Sequence, residues 1–254
     1  MPLSVEEWHN RFCQQARWTE PLRAHFFFRR NLGNPHRILE VGCGTGAVSA
    51  SIAREQPSAK VAGLDLDLPR LQFARSHDSA CVYAAGDARR LPFPAGAFDI
   101  VLCHFLLLWI PSPVKALREM ARVARPGGWV LALAEPDYTA RIDSPATLEP
   151  LGAAQTEALR RQGADVSLGR HLAEVFAEAG LGVVETGVLA SPEAAGKQND
   201  ADSEFEWKIL KEDTGRSFSE SEWEKFRRAD SAARRRGERI LYVPTYYCFA
   251  RREP

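Results

Sequence analysis

The sequence predicts an α/β fold built on a largely parallel sheet, and three observations carry that expectation. Strand-like and helix-like segments alternate from Arg37 to Ala134, and such alternation implies parallel strands joined by right-handed crossovers. The first of those strands runs into a glycine turn, Gly42-Cys43-Gly44-Thr45-Gly46, that opens directly into a helix. A later strand, Phe98 to His104, is apolar almost throughout, as expected where both faces are covered.

The elements follow in order. Residues 1–36 read as helical, with Trp8, Phe12, Trp18, Phe26, Phe27 and Phe28 set among charges. Strands are expected at Arg37–Val41, Lys60–Asp65, Ala80–Ala84, Phe98–His104 and Trp129–Ala134. Helices are expected at Ala47–Glu55, stopping before Pro57, and from Pro69 to about Ser76. A further helix, from about Ser112 to Val123, puts Val114, Leu117, Ala121 and Ala124 on one face, with Pro126-Gly127-Gly128 ending it. Toward the C-terminus, Gly169–Ala179 is a helix showing Leu172, Val175, Phe176 and Ala179, closed by Gly180. Leu181–Leu189 is strand-like, and 191–236 is polar and helical, an insertion or cap. Ser219 and Glu222 form a capping box ahead of Trp223 and Phe226. Arg239–Ala250 reads as a last strand, which Pro244 interrupts in the manner of an edge or a bulge.

Composition narrows the function. The 254 residues carry 33 Lys+Arg against 33 Asp+Glu. A net charge of zero argues against a sequence-independent grip on nucleic acid and against a polybasic membrane patch. No signal peptide is visible, and the longest apolar run, Phe105 to Ile110, is far too short to span a bilayer. Five widely spaced cysteines without a CxxC fit a reducing compartment, so a cytoplasmic protein is expected. The histidines show no metal-ligand spacing, and no metal is expected. Oligomeric state, monomer or homodimer, stays open.

The glycine turn is the most informative segment. Glycine lets the backbone turn tightly and lets a ligand approach the main chain, and the following helix offers free N–H groups. Gly42, Gly44 and Ala47, with Asp65 further on, formally satisfy a dinucleotide fingerprint. Two other acids favour a different ligand. Glu40, two residues before Gly42, would repel a pyrophosphate but welcome a cation. Asp87, after the third strand, is placed to accept a hydrogen bond from an adenine amine. Three acids around such a turn suit a ligand with an ammonium, a sulfonium, a ribose and an adenine.

These segments resemble the class I S-adenosylmethionine-dependent methyltransferases, most closely the branch that acts on small molecules. The resemblance covers roughly residues 37–136, in motif order: Leu39-Glu40-Val41-Gly42-Cys43-Gly44-Thr45-Gly46, Gly63-Leu64-Asp65, Gly86-Asp87-Ala88, Leu91-Pro92-Phe93-Pro94 with Phe98-Asp99-Ile100-Val101, and Arg125-Pro126-Gly127-Gly128. It implies a Rossmann-like, seven-stranded, mostly parallel sheet with helices on both faces and an antiparallel last strand. It implies S-adenosylmethionine as cofactor, with S-adenosylhomocysteine as product. It implies that Gly42, Cys43, Gly44 and Gly46 shape the turn around the methionine part and that Glu40 binds the amino group. Asp65 would hold the ribose, Leu66 would pack on adenine, and Asp87 with Ala88 would meet the adenine amine. Cys103 and His104 would line the sulfur and substrate end. The chain would be one methyltransferase domain, with 1–36 a helical lid, 37–136 the cofactor-binding core and 191–236 a cap.

His104 and Glu135 are the candidate catalytic residues, because each follows or ends a strand at the ligand edge of the sheet. The plainer alternatives are a packed histidine and a glutamate capping a loop. In Glu135-Pro136-Asp137-Tyr138 the acids either orient the acceptor or hold the turn. Trp18, Arg23 and Phe26–Phe28 either fold over the cofactor or pack on the sheet, and Arg11 or Arg17 would meet the cofactor carboxylate if the segment is a lid. Asp99 reads as structural, and Cys43 and Cys103 have no nucleophile partners. Cys103-His104-Phe105-Leu106 stands where amide and nucleobase methyltransferases carry an Asn/Asp-Pro-Pro-aromatic motif, which disfavours that chemistry. A small, partly apolar acceptor enclosed by 1–30, 137–165 and 191–236 remains, with O- or C-methylation favoured. Two other readings stay open: an NAD(P)-dependent oxidoreductase, and an S-adenosylmethionine-binding module without catalysis.

Overall fold

The computed structural model describes residues 3–29, 37–189, 200–215 and 217–253. The expected lid and cap segments at 30–36 and 191–199 lie outside the described residues. Five strands run parallel in the order β3-β2-β1-β4-β5: β1 (Arg37–Val41), β2 (Lys60–Asp65), β3 (Val82–Ala85), β4 (Phe98–Cys103) and β5 (Ala124–Pro136). The sheet continues through β9 (Thr245–Arg251), antiparallel to β5, and ends at β7 (Gly182–Leu189). This is the expected seven-stranded, mostly parallel sheet with its last strand antiparallel.

Strand alternation divides the core into two layers. Leu39, Val41, Val101 and Cys103 face one side, under α5 (Pro113–Val123) and α7 (Leu168–Glu178), which contribute Leu117, Met120, Leu172 and Phe176. Ile38, Ile100, Leu102 and Leu131 face the other, under α2 (Glu20–Arg29), α3 (Ala47–Glu55) and α4 (Leu68–His77). Phe26 of α2 is buried there, with its ring edge-on to Trp129 at 5.2 Å and to Phe249 at 4.8 Å. Arg23 is equally buried and donates to Glu55, Ser51, Thr19 and the Ala16 carbonyl. Of the two alternatives for these residues, Arg23 and Phe26 pack on the sheet. Phe28 is exposed, and α1 (Val5–Trp18) reaches the glycine turn through Phe12.

Three other expectations change. Pro113–Val123 buries Ala116, Leu117, Met120 and Val123, a stripe rotated from the predicted face because the helix packs against β4, β5 and α7 together. That helix ends at Val123, before Pro126-Gly127-Gly128, and Ala124 already pairs with Phe98. The last strand is two strands. Pro244 separates β8 (Ile240–Tyr242), which pairs with β6 (Ile142–Ser144) in a small second sheet, from β9, which lies inside the main one. A proline lacks the N–H a ladder needs, so it stands where the chain changes sheets.

The cap has its own apolar cluster. Trp207 and Leu210 of α8 (Asp200–Thr214) pack with Trp223 and Phe226 of α9 (Glu220–Arg236) and with Leu148 and Leu151, the latter at the start of α6 (Glu149–Arg161). The Ser219–Glu222 capping box forms as predicted. A second box, Ser4 with Glu7, starts α1.

Phe26→Ala should lower stability by about 3–5 kcal/mol, the usual cost of a large cavity at a buried phenylalanine. Urea unfolding checks it, and a loss below about 1 kcal/mol would mean that α2 is not part of the core.

Candidate functional site

The register of the parallel strands aligns their C-terminal ends: Val41 with Leu64 and Cys103, Asp65 with Ala85, and Cys103 with Ala132. Glu40, Asp65, Asp87, His104 and Glu135 therefore share one sheet edge. The strand order reverses between β1 and β4, and ligands of open α/β sheets bind beside such a reversal.

The glycine turn occupies that place. Gly42, Gly44 and Gly46 all have positive φ, at 76°, 53° and 80°. The Gly42 and Cys43 N–H groups donate to the Leu64 carbonyl at 2.7 and 3.0 Å, and the Gly44 N–H donates to Asp65 Oδ2 at 2.6 Å. Asp65 also accepts from the Asp67 N–H at 2.9 Å. The turn is close-packed. A Cβ on Gly42 would meet the Leu106 side chain at 2.6 Å, one on Gly44 the Phe12 ring at 3.2 Å, and one on Gly46 the Tyr83 hydroxyl.

Glu40 is buried beneath this turn, and the Ser49 hydroxyl donates to it. Burial pushes its carboxyl up to about 8, against the Ser49 hydrogen bonds. Burial disfavours its charged form more than Ser49 and the nearby Arg23 favour it, so an incoming ammonium would shift it toward the carboxylate. Leu66 is exposed beside Asp65, free to lie against a flat ring. Asp87 is paired with Arg89, Nη2 to Oδ2 at 2.8 Å, and this hydrogen bond holds its carboxyl down at about 2. Ala88 is buried next to it.

Two of the expected cofactor residues are placed differently. Cys103 has no exposed surface and sits in the core between Val101 and Leu107, so its thiol meets no ligand. The Cys43 thiol lies below the turn, against Gly63 and the Tyr83 ring, leaving only its backbone at the cradle. Burial raises both thiols, which removes thiolate character at neutral pH.

Glu135 is also corrected. Its carboxylate is fully buried and accepts three backbone N–H groups, from Leu106 at 3.0 Å, Leu107 at 2.9 Å and Leu108 at 3.1 Å. Burial pushes its carboxyl up to about 7, and the three donors oppose that. It shapes the loop after β4 and has no face toward a substrate. Asp137 accepts from the Thr139 N–H and hydroxyl and pairs with Arg170, so it holds a turn. Asp99 is structural as expected, accepting from the Arg37 N–H at 2.9 Å and Arg125 Nε at 2.7 Å.

That loop carries His104 and Phe105. His104 is 9% exposed, and its Nε2 has no hydrogen-bond partner among the described residues. Burial first, then the nearby Arg23 charge, lowers its pKa to about 3, so the ring is neutral at pH 7. Phe105 adopts φ 51°, a left-handed conformation costing roughly 1–2 kcal/mol outside glycine. Its ring lines a cavity of about 80 Å³ together with Gln15, Trp18, Ala134, Pro136 and Tyr138. Arg11, Arg141, Gln155 and Glu206 complete the polar wall.

Helix α1 covers both places. Phe12 rests on Gly44, His9 Nδ1 lies 2.9 Å from the Thr45 hydroxyl, and Arg70 of α4 lies over the Trp8 and Phe12 rings. The sequence names Phe12, Arg11 and Tyr138 as candidates but does not single out His9, Arg141, Gln155 or Glu206. Those residues follow no fixed spacing and meet only through the tertiary fold. Arg17 is exposed, and Arg11 pairs with Glu206 rather than reaching the turn.

Comparison with known proteins agrees with this geometry. Residues 39–132 match the methyltransferase domain family. That segment is a methyltransferase domain. It is 41% identical over 100 residues to a malonyl-[acyl-carrier protein] O-methyltransferase of Erwinia pyrifoliae, covering 39% of this chain and 37% of that protein. It is 35% identical over 118 residues to a ubiquinone biosynthesis O-methyltransferase of Chromobacterium violaceum, covering 43% and 49%. Each match spans less than half of the relative's length. Among solved structures, the [4+2]-cyclase SpnF aligns with a TM-score of 0.58 at 20% identity over 94% of this chain and 80% of its own. A methyltransferase-like protein of Bacillus halodurans aligns at 0.57 and 20% identity, over 87% and 94%. At that identity the likeness is one of fold.

The methyltransferase domain's turn and acids fit S-adenosylmethionine, since the cradle has no room for side chains and an incoming ammonium would shift the buried Glu40 toward its carboxylate form. Two outcomes follow. Gly44→Val should abolish S-adenosylhomocysteine binding, and Asp65→Ala should weaken it at least tenfold by freeing the turn; calorimetric affinities like wild type for both would move the site elsewhere. Binding should also release a proton from Glu40. Its carboxyl is protonated below about 8, and an arriving ammonium favours the charged form. Affinity should therefore rise with pH up to about 8 while the ligand's ammonium stays charged. Calorimetry in buffers of different ionisation enthalpy reads that proton, and a count of zero contradicts the assignment.

Proposed function

We propose that the chain is an S-adenosylmethionine-dependent methyltransferase that acts on a small-molecule acceptor, at oxygen or carbon. The observation that carries this reading is the alignment of the glycine turn, Glu40, Asp65 and Asp87 along one sheet edge, with a separate walled cavity at the end of β5, beneath α1 and the cap. When bound, the cofactor supplies a methyl group on a sulfonium, already activated for in-line displacement. The oxidoreductase alternative leaves a buried Glu40 beside a pyrophosphate and is disfavoured by charge.

The roles of the chain's residues follow from their places. Gly42, Gly44 and Gly46 admit the ligand to the backbone, Glu40 takes its ammonium, Asp65 its ribose, Leu66 and Ala88 its adenine. Asp87 takes the adenine amine with its remaining lone pairs, since its partner Arg89 is exposed. Helix α1 and the cap α8–α9 keep water from the reacting groups. Holding an acceptor in line is worth up to roughly 7–11 kcal/mol of the barrier, so alignment rather than acid–base power is the main task. His104, next to Phe105, offers a neutral Nε2 that accepts a hydrogen bond from an acceptor hydroxyl. In this reading 1–254 act as one domain, with 1–36 and 191–236 enclosing the 37–136 core.

Transfer of labelled methyl from S-adenosylmethionine to a panel of small hydroxyl, carboxyl and activated-carbon acceptors tests this, and binding without transfer across the panel would favour the non-catalytic module. His104→Ala should lower kcat by roughly tenfold or more and leave S-adenosylhomocysteine affinity unchanged. The wild-type rate should show no histidine limb between pH 5 and 9, because a group at about 3 is already neutral there. Unchanged turnover in His104→Ala would make this residue packing alone.

A further inference from the structure

The cavity at the end of β5 also reports what it admits. Its charged lining side chains are Arg11, Arg141 and Glu206. Each guanidinium already has an anion, Glu206 at Arg11 and Asp143 at Arg141, and the Asp213 carboxylate stands behind Gln155. Tyr138 adds a hydroxyl that no described residue engages in a hydrogen bond, and burial pushes its phenol up to about 12, so it donates at neutral pH. Trp18, Phe105 and Pro136 supply flat apolar surface.

The two arginines are held differently. Arg141 is fixed: its Nε donates to Asp143 Oδ2 at 2.6 Å, its Nη2 to Oδ1 at 3.2 Å, and its Nη1 to Gln155. Asp143 is shared with Arg239 at 3.1 Å; Arg239 also pairs with Asp230 at 2.6 Å, and Asp230 with Arg234 at 2.8 Å. Three arginines thus share two aspartates, Gln155 bridges Arg141 to a third, Asp213, and the end of this balanced run, Arg141, forms cavity wall. Arg11 stands on α1, with its guanidinium 4.8 Å above the Trp18 ring, and its ionic partner is Glu206, a residue of the cap helix α8. The other ion pair between these helices, Lys208 with Glu7, is substantially exposed and weak as a fastener.

We propose that the acceptor carries a carboxylate, seated between Arg11, Arg141 and the Tyr138 hydroxyl, and that Glu206 is its intramolecular stand-in at Arg11. The inference rests on the methyltransferase reading only in taking this cavity as the acceptor's. A planar guanidinium receives a carboxylate through two parallel hydrogen bonds. A partly buried arginine left without an anion is costly, so exchanging Glu206 for an acceptor carboxylate keeps Arg11 compensated throughout. The exchange releases one of the two ion pairs between α1 and α8 among the described residues, so acceptor entry is coupled to loosening of the cap.

The test is calorimetric titration of the full chain with benzoate and with benzamide, its neutral isostere, with and without saturating S-adenosylhomocysteine. Wild type should prefer benzoate. Glu206→Gln, which cannot compete as an anion, should bind benzoate roughly tenfold tighter, and Arg11→Gln should lose the preference. S-adenosylhomocysteine affinity should stay within about twofold in both variants, which also shows that they fold. The proposal is overturned if benzoate has no advantage over benzamide in wild type and Glu206→Gln, or if neither probe binds. It is overturned equally if Arg11→Gln loses S-adenosylhomocysteine instead of benzoate, which would assign Arg11 to the cofactor. Failure of wild type to bind S-adenosylhomocysteine, with benzoate selectivity intact, would instead sink the methyltransferase reading.

Discussion

The candidate site depends on how the chain leaves β1. Three glycines at positive φ turn the backbone within five residues, and the Asp65 carboxylate at the end of the neighbouring strand accepts the middle N–H at 2.6 Å. Three hydrogen bonds therefore join the turn to β2, two to the Leu64 carbonyl and one to Asp65. The absence of side chains lets Phe12, Leu106 and Tyr83 close on the turn from three directions. A Cβ on Gly42 would press on the loop after β4, one on Gly44 on α1, and one on Gly46 on β3. The N-terminus of α3, the burial of Glu40 and the position of α1 all follow from that single backbone path.

A second constraint governs the loop after β4. Glu135 is fully buried and accepts the N–H groups of Leu106, Leu107 and Leu108. That anchor holds Phe105 in a left-handed conformation and places its ring on the cavity wall. An acid that is read in sequence as a catalytic candidate here sets geometry instead. The cap obeys looser forces. Its apolar cluster of Trp207, Leu210, Trp223 and Phe226 binds it to the Leu148–Leu151 segment, while ion pairs connect it to α1. A cap packed on one side and charged on the other is suited to admitting a polar acceptor.

The parallel core was legible because strand alternation, glycine spacing and strand-end acids are all local signals. Val41-Gly42-Cys43-Gly44 and Asp65 could be assigned to a cradle from spacing alone, since backbone conformation dictates residue type there. Side-chain direction was not legible. Cys103 and Glu135 stand at the right strand ends, yet period-two alternation and the loop's demand for acceptors turn them into the core. Arg23 and Phe26 read in sequence as lid or as packing, and burial, with Phe26 against Trp129 and Phe249, decides for packing. The segments that enclose the cavity were legible, since Arg11, Tyr138, Arg141 and Glu206 fall in 1–30, 137–165 and 191–236, but which side chains converge was not, because they come from separate elements. The split of the final strand at Pro244 was half legible: the interruption could be read, the change of sheet could not.

The most direct test of the account is calorimetric titration of the full chain with S-adenosylhomocysteine and, separately, with NADH and NADPH. The account predicts saturable one-to-one binding of the sulfur nucleoside and none of the dinucleotides. Binding of a dinucleotide alone would contradict it, because Glu40 would then lie beside a pyrophosphate and the acids along the sheet edge would have another purpose.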